Sequence, residues 1–205
     1  VARRIAHEIK NPLTPIQLSA ERLKRKYKEE IVSDQETFLM CTDTIIRQVK
    51  DIGRMVDEFS SFSRMPEPNF KRVNLADLCA QCVFLERNRF PEIDYRINTE
   101  EGQFLVSGDR QQISQLLTNV MKNAAESIIS NSNLTMGVKG KINLDLIHKT
   151  NQILVCILDN GGGFSEELID RIAEPYITTR ENGTGLGLSI ATKIMEDHNG
   201  KILLH

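Results

Sequence analysis

Apolar residues recur every three or four positions along the first 27 residues, the spacing of an amphipathic helix with a single packing stripe. After the polar stretch KYKEEIVSDQ the same rhythm resumes and continues to Phe62. Two long helices with a short connection predict an antiparallel hairpin. Because one hairpin cannot cover both of its stripes, we expect a homodimer that closes a four-helix bundle. The first stripe consists of Ala2, Ile5, Ile9, Leu13, Ile16, Ala20, Leu23 and Tyr27, and the second of Phe38, Cys41, Ile45, Val49, Ile52, Val56, Phe59 and Phe62.

The pattern changes after SRMPEPNF, whose two prolines end the second helix and mark a domain boundary. A short helix at about 75–88 is followed by strand-like IDYRINTE and QFLVSGD, and then by a periodic helix from Arg110 to about Ser130. KGKINLDLIHKT and NQILVCILDNG read as two strands joined by a turn, and a last helix covers about 184–198. The fold class predicted is α+β, with helices against a mixed or antiparallel sheet in the second part. We divide the chain into a helical domain at 1–64, a linker at 65–69 and an α/β domain at 70–205.

Composition excludes several classes of protein. The net charge of -2 gives no general attraction for nucleic acid or anionic lipid. The longest apolar run, ILVCIL, is too short to span a bilayer. Four cysteines are too few for a disulfide framework and indicate a reducing compartment. Cys79 and Cys82 form a C-x-x-C without a second ligand pair, so we interpret them as packed helix residues.

A histidine lies off the apolar stripe of the first helix. His7 shares a polar row with Asn11 and is followed by Glu8, while Pro12 removes a backbone hydrogen bond one turn back and is expected to loosen the helix. An exposed imidazole alone is most often an ordinary surface residue. Glu8, however, can accept a proton from one ring nitrogen and so raise the nucleophilicity of the other. Asn11 can orient a water molecule without reacting itself.

Three further stretches carry candidate chemistry. Asn119, Asn123 and Ser127 are spaced by four along one row of a helix, and neutral amide oxygens suit Mg²⁺ that also carries phosphate oxygens. Asp159 ends a buried strand before three glycines; this arrangement is either a simple turn or a carboxylate placed to accept from the exocyclic amino group of a base. NGTGLGLSI precedes a helix, as phosphate-binding loops do, but it matches neither the dinucleotide fingerprint nor a Walker loop.

Taken together in this order, these stretches resemble the sensor histidine kinases of bacterial two-component systems. HEIKNPLTP resembles the phosphoacceptor box, NVMKNA the asparagine box, DNGGG and GTGLGL the two glycine boxes, and EPYITTR the segment between them. Within the first helix, the stretch AHEIKNPLTPIQLSAERLKRKY is most similar to nitrogen-regulation sensors of the NtrY type. The resemblance implies an α/β-sandwich ATP-binding domain of the Bergerat type after the dimeric bundle.

The resemblance also implies roles for individual residues. His7 would take the γ-phosphoryl group of ATP with Glu8 as base, and Asn11 would serve in hydrolysis of a partner's phosphoaspartate. Asn123 would hold Mg²⁺, and Asp159 would accept from the adenine amino group. Arg180 stands where the family often has lysine, which keeps the charge but alters its geometry. The remaining nucleotide-binding residues implied are Asn119, Lys122, Gly161, Gly163, Tyr176, Thr179, Gly183, Thr184, Gly185, Leu186 and Gly187.

The partners implied are a second copy of the chain and the receiver domain of an NtrX-like response regulator, with the membrane engaged only through parts absent from this chain. We expect this to be the cytoplasmic portion of an inner-membrane-anchored protein. We also expect a sheet edge left open where the chain stops at KILLH. Two alternatives stay open: a dimeric nucleotide-binding scaffold without kinase activity, and an ATPase-driven clamp, which would have no need of the histidine hairpin.

Overall fold

The computed structural model describes residues 2–63, 65–130, 138–163, 171–172, 174–178 and 183–204. These residues divide into two compact units. The first unit contains the chain up to residue 66 together with residues 183–186, and the second contains the described residues from 67 to 178 and from 187 onward.

The first unit is a helical hairpin. Helix α1 spans Ala2–Tyr27 and helix α2 spans Gln35–Phe62. Lys10 near the start of α1 pairs with Asp57 near the end of α2, and Lys24 pairs with Asp43, so the two helices run antiparallel as predicted. Helix α1 continues through Pro12, which therefore does not end it. Within the parts of the chain that the structure describes, no helix has the combination of length and apolar character needed to cross a membrane.

Only part of each predicted apolar stripe is buried within one hairpin. Ala20 of the α1 stripe is buried, as are Val49 and Val56 of the α2 stripe, and Ala6, which lies outside the predicted stripe, is buried as well. The partial burial agrees with the expectation that one hairpin cannot cover both stripes, because a lone partner helix covers a narrower strip than the apolar pattern occupies. The apolar residues left exposed on the two helices include Ile5, Ile9, Ile16, Leu23, Ile45, Ile52 and Met55, whose exposed fractions lie between 39% and 48%.

The second unit alternates strands and helices. Its elements are β1 Lys71–Asn74, α3 Leu75–Arg89, β2 Asp94–Thr99, β3 Leu105–Gly108, α4 Arg110–Ser130, β4 Lys141–Lys149, β5 Gln152–Asp159 and α5 Gly187–Asp197. Each of the elements predicted from the sequence in this region is present. The last helix begins at Gly187 and not near 184, because Gly185 has a φ of +68°, which an α-helix cannot include.

Two sheets organise this unit. Strands β1 and β3 pair antiparallel, and β2, β4 and β5 form a three-stranded sheet in that order. Strand β2 runs parallel to β4, whereas β4 and β5 form an antiparallel hairpin, so the sheet is mixed. In this described sheet, β5 lies at one edge and ends at Asp159.

Helices α3 and α4 pack on the sheet around a continuous apolar core. Phe104, Met121 and Leu144 are among its fully buried side chains. Cys79 and Cys82 of α3 belong to the same core, where burial raises the pKa of Cys79 to about 12 and of Cys82 to about 11. Both thiols therefore stay protonated near neutral pH and pack as small apolar groups.

Asp109 fixes the start of α4. Its carboxylate accepts the backbone N–H groups of Gln111 and Gln112, the role of a helix N-cap, and also the N–H of Asn69. These hydrogen bonds, that from Asn69 first, hold the pKa of Asp109 below its ordinary value. The Asp109 N–H donates to Nε2 of His198 at 2.9 Å, so the first residues of α4 are tied to the residue that follows α5.

Candidate phosphoacceptor helix and nucleotide site

His7, Glu8 and Asn11 all have exposed side chains on α1. The neighbouring Ala6 is buried, so the buried face of the helix lies beside this row and not beneath it. Asn11 is four residues beyond His7, and side chains with this spacing lie one above the other on a helix. The helix thus presents an imidazole, a carboxylate and an amide together to the surroundings.

The amide row of α4 faces the first turn of α5. The Asn119 side-chain amide donates to the backbone oxygen of Gly187 at 3.1 Å. A Cβ atom added to Gly187 would lie 3.9 Å from Nδ2 of Asn123. The two asparagines predicted to serve nucleotide binding are therefore brought next to the glycine that begins α5, where the positive end of the helix dipole favours an anion.

The residues just before α5 form an irregular segment. Gly185 adopts the left-handed conformation, and Leu186 is buried with 1% exposure. The Thr184 hydroxyl accepts the N–H of Leu186 at 3.4 Å and donates to the carboxylate of Glu58 in the same unit. Gly183 and Gly185 lie just before the start of α5 at Gly187, which is the order of a glycine-rich loop and a helix.

Asp159 lies at the end of β5 beside a tightly held turn. Its Oδ1 accepts the N–H of Gly161 at 2.9 Å. The next residue, Asn160, accepts the N–H of Lys141 at 2.7 Å and donates to the oxygen of Lys139 at 3.1 Å. Asn160 therefore holds the turn against the start of β4, a role that the sequence did not predict for it.

The same turn touches α4 at Ser127. The Gly162 N–H donates to Oγ of Ser127 at 3.2 Å. A Cβ atom on Gly161 would clash with that oxygen and would come 2.8 Å from the carbonyl carbon of Ser127 and 2.7 Å from Oδ1 of Asp159. Glycine is needed at position 161 because the backbones of the turn and the helix approach so closely. Ser127 was noted in the amide row but not among the predicted binding residues.

Other predicted site residues lie after β5 and before α5. Gly163 has a φ of +68° and is exposed. Tyr176 is 61% exposed and also has a positive φ, of 69°, which is unusual for a residue with a side chain. Thr179 and Arg180 lie outside the described residues.

Comparison with known proteins identifies the family. Residues 1–68 match the His Kinase A (phospho-acceptor) domain, and residues 108–205 match the family of histidine kinase-, DNA gyrase B- and HSP90-like ATPases. The nitrogen regulation protein NtrY of Azorhizobium caulinodans is 52% identical over all 205 residues of the chain. The chain belongs to the sensor histidine kinase family. It spans 26% of the length of that NtrY protein.

Solved histidine kinases share both the fold and the sequence pattern. The histidine kinase ThkA, solved in complex with the response regulator protein TrrA, is 30% identical with a TM-score of 0.63, covering 97% of this chain and 54% of ThkA. The separate catalytic domain of ThkA is 34% identical with a TM-score of 0.54, covering 63% of this chain and 82% of that domain. The α+β fold class expected for a histidine kinase is thereby confirmed.

Lys122 lies on the flank of α4 next to the amide row. Its Nζ is 3.8 Å from Oε1 of Glu126 one turn along the same helix.

The side chain of Glu86 on α3 is only 3% exposed, and its Oε2 has no hydrogen-bond partner among the described residues. Burial raises the pKa of Glu86, and the nearby cations Arg89 and Lys122 lower it by a smaller amount.

Replacement of Glu86 by glutamine is expected to change how stability depends on pH. The folded protein holds the Glu86 proton at pH values where the unfolded chain has lost it. The free energy of unfolding therefore falls as the pH rises from the ordinary value of 4.5 through the raised pKa. Each unit of pKa difference corresponds to about 1.4 kcal/mol. Glu86→Gln should remove this decline, which urea unfolding between pH 4.5 and 8 measures.

The exposed Glu101 supplies the control for this experiment. Glu101→Gln should leave the pH dependence of the native protein in place. If Glu86→Gln and the unaltered protein lost stability in parallel as the pH rises, Glu86 would have no raised pKa.

Proposed function

We propose that this chain is the core of a sensor kinase that phosphorylates itself on His7 from ATP and passes the phosphoryl group to an aspartate of a response regulator. The observation that carries the proposal is the exposed His7–Glu8 pair on a hairpin that matches the phospho-acceptor family. The same chain also has an ATPase-family domain with a carboxylate, two amides and a glycine-rich helix start. We propose domain limits of 1–64, 65–69 and 70–205.

In the first step, one ring nitrogen of His7 attacks the γ-phosphorus of ATP. The phosphorus–nitrogen bond forms as the bond to the bridging oxygen breaks, and ADP leaves. Glu8 accepts the proton from the other ring nitrogen, which raises the nucleophilicity of the nitrogen that attacks. Transfer to a carboxylate of the regulator then regenerates the imidazole. The exposure of His7 supports this scheme because the ring must meet two different partners in turn.

The nucleotide would lie along the wall formed by α4, the turn after β5 and the start of α5. We propose Asp159 for the adenine amino group, with Gly161 and Gly163 shaping the turn beside it. Asn119 and Lys122 would lie near the phosphates. We assign the rest of the nucleotide contacts to Tyr176, Thr179, Arg180, Gly183, Thr184, Gly185, Leu186 and Gly187.

Mg²⁺ fits the donor set on α4. Amide oxygens are neutral hard ligands, and Mg²⁺ usually keeps phosphate oxygens and waters as its other ligands. Asn123 faces the helix start where phosphates would bind, so we propose it as the protein ligand. When bound, the ion would neutralise charge on the phosphate oxygens.

A homodimer is supported by the apolar residues that one hairpin leaves exposed. Ile9, Ile16 and Leu23 recur every seven residues on α1, and Ile45 and Ile52 have the same separation on α2. Seven-residue repeats are typical of helices packed in a bundle. Closing two hairpins into a four-helix bundle would bury these side chains on both copies.

We also propose that the partner is an NtrX-like receiver domain, that the kinase can act as a phosphatase on it, and that the system regulates nitrogen metabolism from an inner-membrane-anchored parent. The identity with NtrY supports the nitrogen role. The exposed amide of Asn11, one turn from His7, supports the phosphatase activity.

Incubation with ATP labelled in the γ-phosphate tests the kinase directly. The protein should become labelled, and the label should be lost in acid and kept in base, as a phosphoramidate requires. Protein that binds ATP but stays unlabelled would instead be a nucleotide-binding scaffold.

Replacing Asp159 by asparagine is expected to weaken ATP binding strongly. The amide loses the negative charge that makes the hydrogen bond to the adenine amino group strong, at a cost of about 1.5–3 kcal/mol. Titration calorimetry with ATP and Mg²⁺ measures the effect. Asp145→Asn is a matched control, because Asp145 lies on the neighbouring strand β4 and bonds the side chain of Asn98. Equal affinities for Asp159→Asn and the control would remove Asp159 from the site.

A further inference from the structure

We propose that Ser127 is a positioning residue for the adenine end of the nucleotide, acting through the turn that carries Asp159. The inference rests on the proposed function, since it assigns a further residue to the same ATP site. Ser127 would not touch the phosphates. Its hydroxyl would set where the Asp159 carboxylate stands and therefore how well the site distinguishes adenine from guanine.

The turn after β5 is held by hydrogen bonds to two side chains. Two successive backbone N–H groups point to two different side chains: Gly161 donates to Asp159 at 2.9 Å, and Gly162 donates to Ser127 at 3.2 Å. A shift of the turn away from α4 would stretch the second bond and change the direction of the first. The Ser127 hydroxyl and the Asp159 carboxylate are thus linked through the two peptide groups that meet at the Cα atom of Gly161.

The backbone of this turn lies close to the backbone of α4. Position 161 leaves no room for a Cβ atom, which would contact both the hydroxyl and the carbonyl carbon of Ser127. The turn therefore rests on α4 without an intervening side chain, and the Ser127 hydroxyl is the one described side-chain group of α4 that bonds it. Removing the hydroxyl would break this hydrogen bond between the turn and α4.

The proposed site must distinguish adenine from guanine. Adenine presents an amino group at the position where guanine presents a carbonyl oxygen. A carboxylate accepts from the first and repels the second, and the discrimination depends on its placement. Loosening the turn should therefore reduce adenine affinity more than guanine affinity, while contacts to the phosphates on Asn119, Asn123 and α5 stay intact.

Titration calorimetry with ADP and with GDP, each with Mg²⁺, tests the proposal on three variants of the full chain. Ser127→Ala should weaken ADP binding about 3- to 10-fold, the usual worth of one hydrogen bond, and should narrow the ADP-to-GDP preference by a similar factor. Ser127→Thr keeps a hydroxyl, so it should retain most of the ADP affinity and most of the preference for ADP over GDP. Ser130→Ala is the matched control, because Ser130 lies on the same helix and its hydroxyl bonds within that helix, to the oxygen of Ser127.

Unchanged ADP affinity and preference in Ser127→Ala would overturn the proposal. Equal losses for ADP and GDP would also overturn it, since they would indicate a general structural role. If the unaltered chain bound neither nucleotide, the proposed function itself would fail, which is a different result from a normal site that is indifferent to Ser127.

Discussion

Replacing His7 by glutamine is expected to reduce labelling from γ-phosphate-labelled ATP to background. Glutamine is similar in length and keeps a polar surface on α1, but its amide nitrogen is not a nucleophile and cannot form a phosphoramidate. ATP binding should be unaffected, because the proposed nucleotide residues belong to other elements. Radiometric labelling together with calorimetry on the same preparation checks both parts of the expectation.

His148 provides the control for this experiment. It is also exposed, but it lies on β4 and stacks on the ring of Phe104 at a centroid distance of 4.3 Å. His148→Gln should therefore label normally. Label that persisted at normal stoichiometry in His7→Gln would mean that another residue accepts the phosphoryl group.

The helices and strands were largely predictable because their apolar periods differ so clearly. Periods of three to four residues gave α1, α2 and α4, and alternating or continuous apolar runs gave β4 and β5. The start of α5 was placed three residues early, since the left-handed conformation of Gly185 depends on how the segment packs and leaves no periodic signal.

Periodicity identified the apolar residues of the hairpin but not what each of them contacts. Ala20 and Leu23 belong to the same predicted stripe, yet Ala20 is buried and Leu23 is 48% exposed in one chain. The reason is that a hydrophobic residue facing a second copy of the chain has the same sequence pattern as one facing its own hairpin.

Motif order led to the proposed nucleotide site, and tertiary contacts added a residue that no motif identifies. Asn119 and Asn123 were found through their spacing on one helix, and the structure sets both beside Gly187. The contact of Ser127 with Gly162 joins residues 35 positions apart, so no local pattern predicts it. Glu86 has the sequence surroundings of a surface residue within LERNR, yet it is buried in the folded chain.

Asn11→Ala is expected to separate the two proposed activities. Autophosphorylation requires His7, Glu8 and the nucleotide domain, so it should survive with a modest loss. Dephosphorylation of the regulator requires a water aligned with the phosphoaspartate, and an amide can hold such a water without accepting the phosphoryl group itself. Loss of this alignment should slow dephosphorylation by roughly 10²-fold or more, which is the usual cost of a mispositioned reacting group.

Both activities have to be measured on the same purified protein. Labelling from ATP reports the kinase, and release of phosphate from a phosphorylated receiver domain reports the phosphatase. Ser19→Ala is the control, since Ser19 is exposed on α1 three turns beyond His7 and changes the helix in a comparable way. Equal losses of both activities in Asn11→Ala would mean that Asn11 serves helix structure or docking. No loss in either would mean that it is an ordinary polar residue on an exposed helix face, and the phosphatase would then need a different group to align its water.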